Sequence, residues 1–169
     1  MATTYTLISS VTVGSGGAAS MGFTSIPATY TDLLIKVSSR SNRASIIIDG
    51  VLISFNGSTS SFSAIYLEGS GVTTISSSLA RFAGAVPAST ATSNVFSNND
   101  IYIPNYAGGN NKSYSVDSVM ENNATASYQY LIAGLWSNTA AITSITLTPS
   151  FGTSFDQYST AYLYGISNA

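Results

Sequence analysis

The sequence predicts an all-β fold: one antiparallel β-sandwich domain, jelly-roll-like, spanning residues 1–169. Three observations carry this. Apolar residues recur with a period of 2 along nearly the whole chain, in runs rich in Val, Ile, Thr, Tyr and Phe, the residues that suit a pleated, half-buried surface. The runs are short, nine to eleven in number, and are separated by Gly, Asn, Ser and Pro turns, the signature of packed sheets. Finally, 169 residues are one domain's worth, and no internal repeat, linker or charge block divides them.

Taken in order, Tyr5 to Val13 is the first expected strand, and Ser20 to Ile26 follows and stops at Pro27. In Asp32 to Ser39, Leu33, Ile35 and Val37 share one face and Leu34, Lys36 and Ser38 the other. Ser45 to Ile48 and Val51 to Phe55 flank Asp49-Gly50, which predicts a type I′ hairpin because that turn needs positive φ at both central residues. Asn56-Gly57 marks a second turn. Phe62 to Leu67 and Val72 to Ser76 read as strands, whereas Ser77 to Ala85 has some helical character and is expected to form one turn at most. Asp100 to Ile103, Ser113 to Met120, Tyr128 to Trp136, Ile142 to Thr148 and Ala161 to Ile166 complete the set. Both faces of Tyr128 to Trp136 are apolar, so that strand should lie centrally and be covered on both sides, with Trp136 in the core. The polar loops Ala88 to Asn99 and Asn105 to Lys112 are where such a scaffold carries its contacts.

Composition limits function. Charged residues are 7% of the chain, against about 25% in ordinary soluble domains. Hydroxyls and amides fill the gap, with 31 Ser, 19 Thr and 12 Asn. Without His or Cys there is no imidazole base, no Cys/His zinc site, no catalytic triad of the serine or cysteine type and no disulfide. Five basic residues and a net charge of −2 cannot neutralise a run of phosphates, which argues against nucleic acid as a partner. No window approaches the roughly 18 apolar residues of a membrane helix. Met1 to Ser10 has neither a basic n-region nor an unbroken apolar h-region, so it reads as a strand and not a signal peptide, with synthesis in the cytoplasm.

The remaining motifs favour plain readings. Gly14-Ser15-Gly16-Gly17-Ala18-Ala19, with Asp32 downstream, matches a dinucleotide fingerprint, but a β-like segment follows where the fingerprint needs a helix; a hairpin loop is expected. Asp117 and Glu121 form the closest candidate for a glycosidase pair, with nothing around them to support one. Asn98-Asn99-Asp100 and Glu121-Asn122-Asn123 lack the alternating acidic spacing of a calcium loop. The sequons at Asn56, Asn111 and Asn123 arise easily in so Ser/Thr-rich a chain. Arg40 and Arg43 are the one close basic pair and read as surface or interface salt-bridge donors toward acids such as Asp32 or Asp49. Tyr102, Tyr106, Tyr158, Tyr162 and Tyr164 lie in or beside the later loops, where phenol rings serve as contact groups or pack a sheet face. As candidates for partner or self-contact the sequence offers Tyr102, Tyr106, Arg40 and Arg43.

Five phrases carry a resemblance: Thr4-Tyr5-Thr6-Leu7-Ile8-Ser9-Ser10, Ile26-Pro27-Ala28-Thr29-Tyr30-Thr31-Asp32-Leu33, Ile101-Tyr102-Ile103-Pro104-Asn105-Tyr106, Ile132-Ala133-Gly134-Leu135-Trp136 and Ala161-Tyr162-Leu163-Tyr164-Gly165-Ile166. Over nearly its whole length the chain resembles the small jelly-roll or β-sandwich structural proteins of tailed bacteriophages. The resemblance implies a non-enzymatic virion component without cofactor or metal, such as a capsid decoration (cement) protein. It further implies a homo-oligomer, expected to be a trimer, bound to a virion protein such as the major capsid or a tail protein. The alternative is a carbohydrate- or receptor-binding module of a head or tail fibre that touches host glycan.

Overall fold

A computed structural model describes residues 4–122 and 126–167 of the chain, and among them there is no helix. Twelve strands form: β1 (Tyr5–Thr12), β2 (Met21–Phe23), β3 (Asp32–Ser38), β4 (Ile48–Phe55), β5 (Phe62–Gly69) and β6 (Thr74–Ser78), followed by β7 (Phe82–Pro87), β8 (Asn98–Ile103), β9 (Lys112–Glu121), β10 (Ser127–Trp136), β11 (Ile145–Pro149) and β12 (Thr160–Ile166). They build two antiparallel sheets, an eight-stranded one in the order β1-β12-β3-β8-β9-β10-β5-β6 and a four-stranded one in the order β2-β11-β4-β7.

Period-2 alternation explains how the two sheets meet. Leu33, Ile35 and Val37 of β3, Ile101 and Ile103 of β8, and Tyr130, Ile132 and Trp136 of β10 point to one side of the large sheet and are buried. Met21, Phe23, Val51, Ile53, Phe55, Ile145 and Leu147 of the small sheet meet them in one continuous core. At one end of this core Trp136 stacks on Phe62 at 6.0 Å and meets Phe55 edge-on at 5.6 Å. Gly134 makes room for the Tyr114 ring, since any Cβ there would run into it.

Three expectations are corrected. Asp49-Gly50 is not a hairpin turn: both residues lie inside β4, paired to Val86 and Ala85 of β7. The Asp49 carboxylate is buried and satisfied, accepting the Gly50, Phe151 and Gly152 N–H groups at 2.8, 3.1 and 2.9 Å and the Ser41 hydroxyl at 2.9 Å. Gly50 is present because a Cβ would press on Ser150 and the Phe82 ring, not to supply positive φ. The type I′ turn falls instead at Asn56-Gly57, with φ of 53° and 73° and the Ser58 N–H closing onto the Phe55 carbonyl. Secondly, Ser77 to Ala85, credited with some helical character, is not helical: it holds the end of β6 and the first four residues of β7, whose six residues are all buried. Thirdly, β10 is central, between β9 and β5, but is covered on one side only. A four-stranded sheet cannot cover both faces of an eight-stranded one. The fold is thus a lopsided sandwich and not a balanced pair of four-stranded sheets.

Candidate functional site

The contact candidates separate into buried and exposed residues. Tyr106 is fully buried; its hydroxyl donates to the Pro27 carbonyl and accepts the Tyr30 N–H at 3.4 Å. Arg40 is also buried and is not a surface donor. Its two terminal nitrogens donate to the carbonyls of Ala88, Ser89, Ala91, Thr92 and Val95 at 2.8 to 3.3 Å, and its Nε lies 3.3 Å from Asp156 Oδ2. One guanidinium therefore holds the loop 88–97 in place, the fork geometry that a lysine cannot reproduce. Arg43 reaches Asp49 at 3.7 Å and lies over the Phe151 ring at 4.2 Å. Tyr102 is partly exposed and donates to Asp32 at 2.8 Å; that hydrogen bond raises its phenol pKa above the ordinary value.

Two surfaces stand out. The first is the outer face of the large sheet, which no element among the described residues covers. Following the strand registers, Leu7, Tyr164, Leu34, Tyr102, Ser115, Ala133 and Ile65 form one row across seven strands with no charge in it. The next row carries Tyr162, Lys36, Asp100, Asp117, Leu131 and Leu67. Its centre is charged: Lys36 pairs with Asp100 at 2.5 Å, and Asp117 stands opposite Asp100. This polar seam divides two apolar patches, one around Tyr5, Leu7, Leu34 and Tyr164, the other around Ile65, Leu67 and Leu131. Ile65, Leu67 and Leu131 are each more than half exposed. Asp117 and Glu121 also project from this open face, four residues apart on β9.

The second surface is a cleft of about 540 Å³ at one end of the sandwich, built by four loops. Gly16 and Gly17 come from the β1–β2 loop, a turn with φ of 94° and 77° at those residues; it is not the expected hairpin loop, because β1 and β2 lie in different sheets, and a strand follows it where a phosphate-binding fingerprint needs a helix. Arg40 and Asn42 come from the β3–β4 loop, Ser93, Asn94 and Phe96 from the β7–β8 loop, and Asp156, Gln157 and Tyr158 from the β11–β12 loop. The walls are tied together. Asn42 accepts the Thr153 and Ser154 N–H groups at 2.9 and 3.0 Å, the Asp156 N–H donates to the Arg40 carbonyl, and the Tyr158 N–H donates to Val13. The sequence reading missed this cleft because its members lie up to about 140 residues apart; the one signal was the polar loop 88–99.

Among the described residues no three His, Cys, Asp or Glu side chains come together to hold a metal ion. Asn99, in one candidate calcium segment, is buried against Ser118 instead. Asn123, in the other and in one sequon, lies outside the described residues. No helix among the described residues is long and apolar enough to cross a membrane.

No family model matches the chain, and no curated protein matches it. A solved structure of a protein of unknown function from Shewanella oneidensis MR-1 aligns over 98% of this chain and 77% of its own, at 12% identity and a TM-score of 0.30. Agreement that low carries no argument about function.

Proposed function

We propose that the chain is a non-enzymatic structural protein of a bacteriophage virion, most simply a capsid decoration protein that associates with copies of itself and binds the virion surface. The outer face of the large sheet carries this reading. Eight strands at about 4.8 Å spacing, with about six residues of 3.3 Å rise in each, make a face of roughly 34 by 20 Å. Shared between two neighbours in a ring, it gives each contact roughly half of the roughly 800 Å² per partner of a standard stable interface, and each copy makes two such contacts. Its two apolar patches carry no charged side chain, so covering them costs little desolvation.

The occupant of that face is a second copy of the same chain. Two different apolar patches on either side of a polar seam suit a head-to-tail contact, the patch near β1 of one copy against the patch near β5 of the next, and a head-to-tail contact that closes gives a ring such as a trimer. Sedimentation of the purified protein is expected to give a trimer mass, and Leu131→Glu a folded monomer. A wild-type monomer at high concentration overturns the self-association. For the virion, imaging or mass spectrometry of purified particles is expected to find the protein in hundreds of copies on the head; its absence from particles overturns the role.

The second reading, a receptor- or carbohydrate-binding module of a fibre, rests on the four-loop cleft.

A further inference from the structure

We infer that the four-loop cleft is a binding site for a neutral saccharide. This deepens the fibre-module reading by assigning it a site and a ligand class, yet it holds or fails independently of self-association through the sheet face.

The volume comes first: about 540 Å³ lies within the roughly 300–1,000 Å³ of clefts that take small ligands. Charge then narrows the class. Arg40 is the one basic residue in the lining, and its donors are committed to five backbone carbonyls and to Asp156. It has nothing left to offer a phosphate, sulfate or carboxylate. The Arg40–Asp156 pair also cancels itself, so the cleft presents neither net sign, and an ion is a poor occupant.

What the lining offers is a different set. Tyr158 is 68% exposed at the rim, with its backbone pinned at φ 73° between Val13 and the turn that ends at Ser159. An aromatic ring facing solvent on a held backbone suits the C–H face of a pyranose, and a Tyr ring loses little side-chain freedom on binding. Phe96 adds a second, half-buried ring. The amides of Asn94 and Gln157 and Oδ1 of Asp156 make no hydrogen bond to any described residue. An amide both donates and accepts, and a carboxylate accepts, which is the complement of a ring of hydroxyls. Because Arg40 and Asn42 fix the loops behind these groups, the site is formed before ligand arrives and little ordering cost falls on binding.

The test is a glycan array carrying neutral oligosaccharides of glucose, galactose, mannose and N-acetylglucosamine, with sialylated and sulfated saccharides and unrelated peptides as controls. The strongest neutral probe is then titrated by calorimetry against wild type, Tyr158→Ala, Gln157→Ala and Tyr158→Phe. The expected result is binding to at least one neutral saccharide, weakened tenfold or more in Tyr158→Ala and Gln157→Ala, retained within about threefold in Tyr158→Phe, with all melting temperatures unchanged. Binding confined to acidic sugars or peptides, no binding at all, or full affinity in a folded Tyr158→Ala overturns the assignment. Oligomer mass and virion content, read separately, stand whichever way it falls.

Discussion

At the scale of single residues, Arg40 organises more of the molecule than any other side chain. Its adjacency to Arg43 suggested two equivalent surface cations. The fold gives them opposite settings, because Ser39 to Ser41 dives between loops while Arg43 stays at the rim beside Phe151. Sequence spacing carries no information about which loop will wrap around a guanidinium, and this part of the site was therefore illegible. Replacing Arg40 by Met leaves five carbonyls and Asp156 without their donor, so a loss of about 3–5 kcal/mol in urea unfolding is expected, together with faster proteolysis within 88–97. Buried phenols set a second residue-scale behaviour. Burial raises the pKa of Tyr114 above 10.0, and burial with Glu68 nearby raises that of Tyr130. With the folded value above the unfolded one, each contributes stability that is complete below about pH 10 and is lost as pH climbs toward the folded value. Burial lowers the pKa of Lys112, which acts in the opposite direction as pH rises toward 10.5. Unfolding free energies from pH 8 to 11.5 are expected to fall above about pH 10, less steeply in Tyr130→Phe.

At the scale of elements, alternation was a dependable guide and turn dipeptides were not. Nearly every strand but β7 lies where the period-2 pattern places one, although residues 45–47, expected to open a strand, form a turn and bend ahead of β4. β7 escaped because Phe82-Ala83-Gly84-Ala85-Val86 is apolar on both faces and rich in small residues, so it has no alternation to read. Asp49-Gly50 misled because its acid is consumed by backbone donors from residues 151 and 152, about a hundred positions away. Asn56-Gly57, with only local demands on it, forms the turn its chemistry favours. The pairing of β9 with β10 brings Tyr114 directly onto Gly134. Gly134→Ala is therefore expected to force the ring aside and cost about 1–3 kcal/mol in denaturant unfolding, more than the same change at Gly69, where a Cβ meets nothing.

For the whole molecule, the missing charge and the mismatch between sheets belong together. A chain with 7% charged residues has little with which to solvate the open side of an eight-stranded sheet, and apolar side chains remain on it. All-β architecture and one core were visible in the pattern. The unequal division of strands was not, because period 2 says that a strand has two faces and not how many of them will be covered. If the open side is where copies meet, charge placed on either apolar patch dissociates them: Leu67→Glu and Leu7→Glu are each expected to yield monomer by sedimentation, and mixing the two single variants is expected to recover no more than a dimer through the one intact pair of patches.

The β1–β12 pairing has a consequence in time. Tyr5 and Ile166 are register partners, so β1 hydrogen-bonds to the strand farthest from it in the chain among the described residues. During translation β1 waits for more than 150 residues with no neighbour on its β12 side, and β3 waits with it, since β12 lies between them. Pairing across such a separation belongs to the slow end of two-state folding, milliseconds to seconds. The sheet thus closes only after residue 166 leaves the ribosome, when β12 can seat between β1 and β3.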